Sequence, residues 1–359
     1  MCIGKIYTLL LLPTVLLLSA TTVYAVSADT LTIYFAGDLM QHEAQIKSAK
    51  RSDGSFDYSK CFSYVKQYIR AADIAVGNLE VTLGGTPYRG YPAFSAPDEY
   101  LYAIRDAGFD VLMTANNHCL DRGSNGLVRT IGMLDSLRLK HAGTYIDKDD
   151  RINNYPLLVE SKGFKVVFLN ATYGTNGISV THPRIVNYID RKQLENDIMK
   201  ARLMKPDIII AFMHWGNEYQ TKPSKNEIEL ARWMINMGVD HVIGSHPHVI
   251  QPVEIIGDTL APQKHFIAYS LGNYISNMSA RHTDGGLAVK LVFKKVDGIT
   301  RLLSYDYSFV WTSRPALSGK QDFILYPEQI GGEYLNDAEK LRMKRYLNDA
   351  ETVLSNGIN

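Results

Sequence analysis

Short apolar runs recur along the chain, and each ends on a cluster of polar side chains. Leu31–Ala36 leads into Gly37-Asp38-Leu39-Met40, Asp73–Val76 into Gly77-Asn78-Leu79-Glu80, and Asp110–Thr114 into Ala115-Asn116-Asn117-His118, with Asp121 following. Asp207–Met213 leads into His214-Trp215-Gly216-Asn217-Glu218, and Asp240–Ile243 into Gly244-Ser245-His246-Pro247-His248. Runs of this length and composition predict strands. Between them Phe62–Ala71, Tyr100–Ala107 and Leu127–Leu139 read as helices, the last with Gly123 and Ser124 as start signals. Leu194, Ile198 and Ala201 fall at helical spacing, as do Leu230, Met234 and Met237. Alternating strands and helices predict an α/β domain over residues 29–330. Within it Leu157–Glu160 and Lys165–Leu169 form a hairpin, and Tyr91–Pro97 is a candidate rim loop.

After His248 the texture changes. Val249–Ile256, Lys264–Tyr269, Leu287–Phe293 and Leu302–Val310 read as strands joined mostly antiparallel, and residues 331–359 close the chain with a helix over Asn336–Leu354. Val289, Leu291 and Phe293 share one strand face, which leaves Lys290 on the other, solvated side.

The polar clusters carry the chemistry. Ligand sites of α/β proteins form outside the carboxyl ends of strands, where loops converge. His246-Pro247-His248 places two imidazoles on a loop stiffened by proline. Taken alone, that tripeptide reads equally well as a surface turn. Together with carboxylates, amides and imidazoles at the other strand ends, it points to a metal site. Asp121 is either a partner for the His118 imidazole or a charge in the first turn of the following helix. Trp215 and Tyr274 read as core residues rather than pocket walls.

Composition narrows the partners. Lys and Arg total 38 against 37 Asp and Glu, with 46% apolar residues and no basic run, which argues against nucleic acid. At the N-terminus Ile6–Val26 holds no charge, and Val23-Tyr24-Ala25 resembles a signal-peptidase site. Residues 1–25 are therefore a cleaved signal peptide or an uncleaved membrane anchor, and either version exports the body to the periplasmic or extracellular face. Cys61 and Cys119 make no disulfide framework, and Asn170-Ala171-Thr172 is only a formal glycosylation acceptor.

The strand-end motifs, continued by Glu218-Tyr219, Gln251-Pro252 and Tyr269-Ser270-Leu271-Gly272-Asn273-Tyr274, resemble in order the CapA family of capsule and poly-γ-glutamate biosynthesis proteins. That family is in turn distantly similar to the calcineurin-like metallophosphoesterases. The resemblance implies a four-layer α/β/β/α sandwich of the metallo-dependent phosphatase type. It implies one or two divalent ions (Mn, Fe or Zn) held by Asp38, Glu80, Asn117, His214, His246 and His248. It also implies His118 beside the leaving group with Asp121 behind it, and Asn78, Glu218 and Asn273 toward substrate. Met40 stands where the phosphoesterases carry a metal-binding histidine, and thioether is a poor ligand in an oxygen-rich site. His42, two residues on, is the candidate substitute.

The resemblance thus implies a metal-dependent hydrolase acting on a phosphate ester or an envelope polymer. The alternative is a non-catalytic accessory to membrane-bound polymer synthesis or export machinery. A polysaccharide-binding module has little support, because the sequence shows no exposed aromatic ladder.

Overall fold

The computed structural model describes residues 30–257 and 263–358, so the N-terminal signal or anchor segment lies outside the described residues. Along the chain come β1 (Thr30–Leu39), α1 (Glu43–Ala49), α2 (Lys66–Arg70), β2 (Ile74–Leu79), α3 (Asp98–Ala107), β3 (Val111–Met113) and α4 (Gly123–Ser136). The middle holds β4 (Lys140–Ala142), β5 (Thr144–Tyr145), α5 (Lys148–Asn154), β6 (Leu157–Ser161), β7 (Phe164–Thr172), β8 (Ile185–Val186), α6 (Arg191–Leu203) and β9 (Ile208–His214). Then follow α7 (Lys225–Met237), β10 (His241–Ser245), β11 (Val253–Ile256), β12 (His265–Ala268), β13 (Asn273–Ile275), β14 (Gly285–Val296) and β15 (Ile299–Ser313). The chain ends with α8 (Pro315–Ser318), β16 (Ile324–Pro327), α9 (Gly331–Tyr334) and α10 (Asp337–Asn356). Among the described residues no helix is long and apolar enough to cross a membrane.

Two sheets dominate. One runs β16-β15-β14-β1-β2-β3-β4 with β13 beside β1; the other runs β11-β12-β10-β9-β7-β6. β1 to β4 are mutually parallel, as are β7, β9, β10 and β12, and antiparallel strands finish the edges. Alternation along β1 shows how the layers stack. Ile33 and Phe35 enter the apolar cluster shared with Phe168 and Ile210 of the second sheet, whereas Tyr34 and Ala36 pack with Leu101 and Ile104 of α3. The second sheet buries its other side under α6 and α7, whose Leu194, Ile198, Ala231 and Met234 join the inter-sheet cluster. The order is helix, sheet, sheet, helix. This is the four-layer α/β/β/α arrangement.

Two elements are shorter than their patterns predict. Only Lys66–Arg70 of the Phe62–Ala71 stretch is helical, because the Cys61 carbonyl accepts from Leu325 N of β16 and the chain winds through turns first. Val249–Pro252 does not join β11. Gln251 N and Pro252 O instead tie it to Ser270 O and Tyr269 N, close to the His-Pro-His loop. Cys61 and Cys119 are buried and unpaired. Asn170 is fully buried and joins three elements: its Oδ1 accepts from Ala115 N at 2.8 Å, and its Nδ2 donates to Phe212 O at 2.9 Å.

Candidate metal centre

The parallel strands of both sheets deliver their carboxyl ends to one place. Asp38 sits in β1 where pairing is irregular, with register shifts between Ala36 and Asp38 toward β2 and between Asp38 and Leu39 toward β13. Such bulges re-aim a side chain. A β-carbon on Gly37 would lie 2.0 Å from Gly272 O, so only glycine lets β1 approach the loop before β13. On the other sheet a β-carbon on Gly244 would lie 1.9 Å from Tyr269 O, which fixes the residue that opens the His-Pro-His loop. His246 and His248 adopt φ of 101° and 58°, left-handed backbone that costs bulky residues about 1–3 kcal/mol each. Strain of this kind persists where the surroundings hold it. Here Tyr219 N donates to Pro247 O at 2.8 Å.

Asp38, Asn78, Glu80, Asn117, His118, His214, His246, His248 and Asn273 are all buried. Asp38, Glu80 and His214 form one group of closely spaced potential ligand atoms, and Glu80, His246 and His248 another, each within 4.8 Å. Glu80 belongs to both. Its Oε1 lies 3.7 Å from His214 Nε2 and 3.7 Å from His248 Nε2. His214 Nε2 is 2.9 Å from Asn117 Oδ1, and its Nδ1 is 3.0 Å from Ser245 Oγ. His248 Nδ1 sits between Asp38 Oδ2 at 3.2 Å and Asn273 Oδ1 at 3.1 Å. Asn78 is the hub, its Nδ2 donating to Asp38 Oδ1 at 2.8 Å and Glu80 Oε2 at 3.3 Å.

The electrostatics fit a cation. Burial, with the Asp38 carboxylate beside it, pushes the Glu80 carboxyl well above its usual range. Burial, with His246 and His248 close by, holds His214 well below the ordinary histidine value, and burial beside His248 takes His246 down to about 3. Neutral imidazoles next to carboxylates in a dry site are the donor set divalent ions take. Two atoms add direct support. Glu80 Oε1 and His246 Nδ1 are buried with no hydrogen-bond partner, and groups of this kind are costly to leave unmade.

His118 stands apart from both ligand groups. Its Nδ1 lies 2.7 Å from Asp121 Oδ2, whose carboxylate also accepts from Phe94 N at 2.8 Å. Asp121 is thus tied to His118 and to the rim loop rather than to the helix start. Glu218 is exposed at the mouth, and Asn273 reaches His248 rather than open space. Met40 packs in the apolar cluster under α3, and His42 lies outside both ligand groups, with Nδ1 3.3 Å from Asn277 N. Trp215 and Tyr274 are core residues, bonded to Tyr269 O and Tyr34 OH.

Sequence reading missed four residues. Ser245 and Asn116 lie inside the motifs it quoted, and Asn170 ends the run Lys165–Leu169 as the other polar residues end theirs, so a signal for these three was present. Tyr173, whose ring lies tilted 4.5 Å from that of His246, gave none.

The family model described as bacterial capsule synthesis protein PGA_cap matches residues 32–278. The chain is 28% identical over 291 residues to the PGA biosynthesis protein CapA of Bacillus subtilis (strain 168), covering 75% of this chain and 69% of that protein. It is 28% identical over 312 residues to the capsule biosynthesis protein CapA of Bacillus anthracis, covering 79% and 72%. Among solved structures it is similar to the calcineurin-like phosphoesterase YfkN from Bacillus subtilis, at 14% identity and a TM-score of 0.47 over 90% of this chain and 98% of that one.

Proposed function

The chain belongs to the bacterial capsule synthesis protein family PGA_cap, and from that premise we propose that it is an exported, metal-dependent hydrolase of phosphoesterase type. Its substrate is a phosphate ester linked to an envelope polymer, and it works beside membrane-bound polymer synthesis machinery. The observation that carries the reading is the pair of unpartnered buried atoms, Glu80 Oε1 and His246 Nδ1, facing two ligand groups that share Glu80.

Asp38, Glu80, Asn117, His214, His246 and His248 would hold one or two divalent ions. When bound, such an ion supplies Lewis acidity toward water and phosphoryl oxygens. The chain's own residues do the rest. Asn78 fixes Asp38 and Glu80 relative to each other, Ser245 fixes His214, and Asn273 fixes His248. Asp121 occupies His118 Nδ1, which leaves Nε2 to carry the proton. In hydrolysis the water oxygen bonds to phosphorus and gives up a proton to solvent, the bond from phosphorus to the leaving oxygen breaks, and His118 Nε2 gives that oxygen its proton and takes one back from solvent afterwards.

A second reading, a non-catalytic accessory subunit, is favoured by Met40, which takes one expected ligand into the apolar cluster. Two variants separate them. His118→Ala lowers hydrolysis of an unactivated alkyl phosphodiester by about 10²–10⁴-fold. It lowers hydrolysis of bis(p-nitrophenyl) phosphate far less and keeps the metal. His248→Ala loses metal and both activities together. Wild-type protein that carries metal yet hydrolyses neither ester supports the accessory reading.

A further inference from the structure

The hairpin of β14 and β15 reaches past the start of β1, at the end of the sheets opposite the metal centre. Thr30, the first residue of β1, pairs with Lys294, and two further residues carry β14 on to Val296. There Val296 faces Ile299 across an Asp297-Gly298 turn, whose φ angles are 52° and 75°. Both apolar tip residues are half exposed, at 50% and 55%. Lys294 stands directly opposite Arg301, two positions back and so on the same strand face as the tip. Neither has an ion pair among the described residues.

Folding does not call for this arrangement. Like charges directly opposite one another destabilise an antiparallel pair, and a two-residue turn needs no Val or Ile in solvent beside it. More cations collect around the hairpin. Lys295 Nζ donates to Gly163 O at 2.9 Å and pairs with Asp207 at 2.8 Å. Those contacts bring up the turn between β6 and β7, with exposed Lys162, and the loop before β9, with exposed Lys205. Lys162, Lys205, Lys294, Lys295 and Arg301 outnumber the carboxylates among them, Asp73, Asp207 and Asp297. At the same end α6 finishes on Leu203, which is 80% exposed.

Position identifies what this end meets. Ile6–Val26 is 21 residues without a charge, enough to cross a bilayer, and only Ser27, Ala28 and Asp29 separate it from Thr30. Fully extended, that link spans no more than about 14 Å. A segment held in hydrocarbon therefore puts the start of β1, and the hairpin that passes it, at the headgroups. Apolar side chains at that boundary with cations beside them bind through buried area and attraction to anionic lipid. We propose that the β14–β15 tip rests on an anionic membrane surface, with the uncharged segment inserted beside it. Val296 and Ile299 enter the interface, and Lys294 and Arg301 meet lipid phosphates. The rise of β1 from Thr30 to Asp38 then holds the centre about 26 Å above that surface, at the far end from the lipid. This rests on the exported reading with a retained anchor, and not on hydrolysis.

The full chain carrying Cys2→Ser, reconstituted in vesicles of phosphatidylglycerol and phosphatidylcholine, tests the surface. A nitrobenzoxadiazole label is placed through Ile299→Cys at the tip, or through Tyr91→Cys on the exposed loop beside the centre. Cys61 and Cys119 are buried and stay unlabelled. Label at position 299 emits at shorter wavelength and resists iodide quenching, whereas label at position 91 stays open to iodide. Lys294→Ala with Arg301→Ala keeps the fold, since it removes a like-charge pair, and lowers the docked-to-undocked ratio about thirtyfold. Vesicles of phosphatidylcholine alone also lose the shielding. The proposal is overturned if the chain floats with the vesicles while position 299 is quenched like position 91. Shielding that survives the double substitution, or persists in phosphatidylcholine alone, overturns it as well. A chain that does not float with the vesicles has no anchor, and the proposal falls with it. Metal content and ester hydrolysis, measured on the same preparation, decide the hydrolase reading separately.

Discussion

His241 and His246 lie five positions apart in the sequence and do opposite work. Both are buried, and burial pushes both imidazoles down to about 3. His246 keeps an unpartnered Nδ1 in the centre, whereas His241 Nδ1 accepts from Phe266 N at 3.0 Å and its ring packs on Phe293. The unfolded imidazole takes up a proton near pH 6.5, so the native state binds fewer protons below that value. The stability His241 contributes is complete above about pH 6.5 and is lost as pH falls toward about 3. His241→Asn keeps an acceptor but cannot titrate. Unfolding free energies measured over that window then show a pH slope smaller by about one proton. An unchanged slope would mean that His241 is not neutral in the fold. At this scale the sequence was informative about residue type and position in a motif, since Asp38, Asn78, Glu80, Asn117, His214, His246 and His248 are all buried at the centre, whereas Glu218 is exposed. It was silent on Asn78 as the hub between Asp38 and Glu80, because a hydrogen bond between β1 and β2 leaves no trace in spacing.

At the scale of elements, the aspartates that open the apolar runs have a shared task. Asp73, Asp110, Asp207 and Asp240 each precede a parallel strand, and each accepts through its side chain from a neighbouring strand's backbone: Thr32 N, Ala75 N, Lys165 N and Ile209 N, at 2.8–2.9 Å. Each returns the bond, its own N–H donating to the carbonyl of that same neighbour. The pair of bonds staples strand starts at the end of the sheets opposite the metal centre. Asp240→Ala leaves Ile209 N without its acceptor, and chemical denaturation should show a loss of about 1–3 kcal/mol with metal content unchanged. A loss of metal at equal stability would place Asp240 in the centre instead. Strand positions were legible because apolar runs of this length admit few alternatives. The helix before β2 and the strand after His248 came out short because carbonyls and amides there bond to distant β16 and to the Tyr269–Ser270 segment, partners no local pattern announces.

Across the whole molecule the centre exists only where the two sheets meet. The first sheet brings Asp38, Asn78, Glu80, Asn117 and His118; the second brings His214, His246 and His248. Neither set closes a ligand group without the other, and Asn170, bonded to Ala115 N and Phe212 O, ties the two sheets beside them. The order of the motifs was readable in the chain. Their division between two sheets came only through the family resemblance, because parallel strands of either sheet have the same pattern. Glu80 alone belongs to both ligand groups, so it tests the account most directly. Elemental analysis of protein prepared without chelator should find at least substoichiometric Mn, Fe or Zn in the wild type and almost none in Glu80→Ala, even after incubation with excess Mn. Wild-type protein that stays empty in excess metal, or a Glu80→Ala variant that keeps the wild-type content, would contradict it.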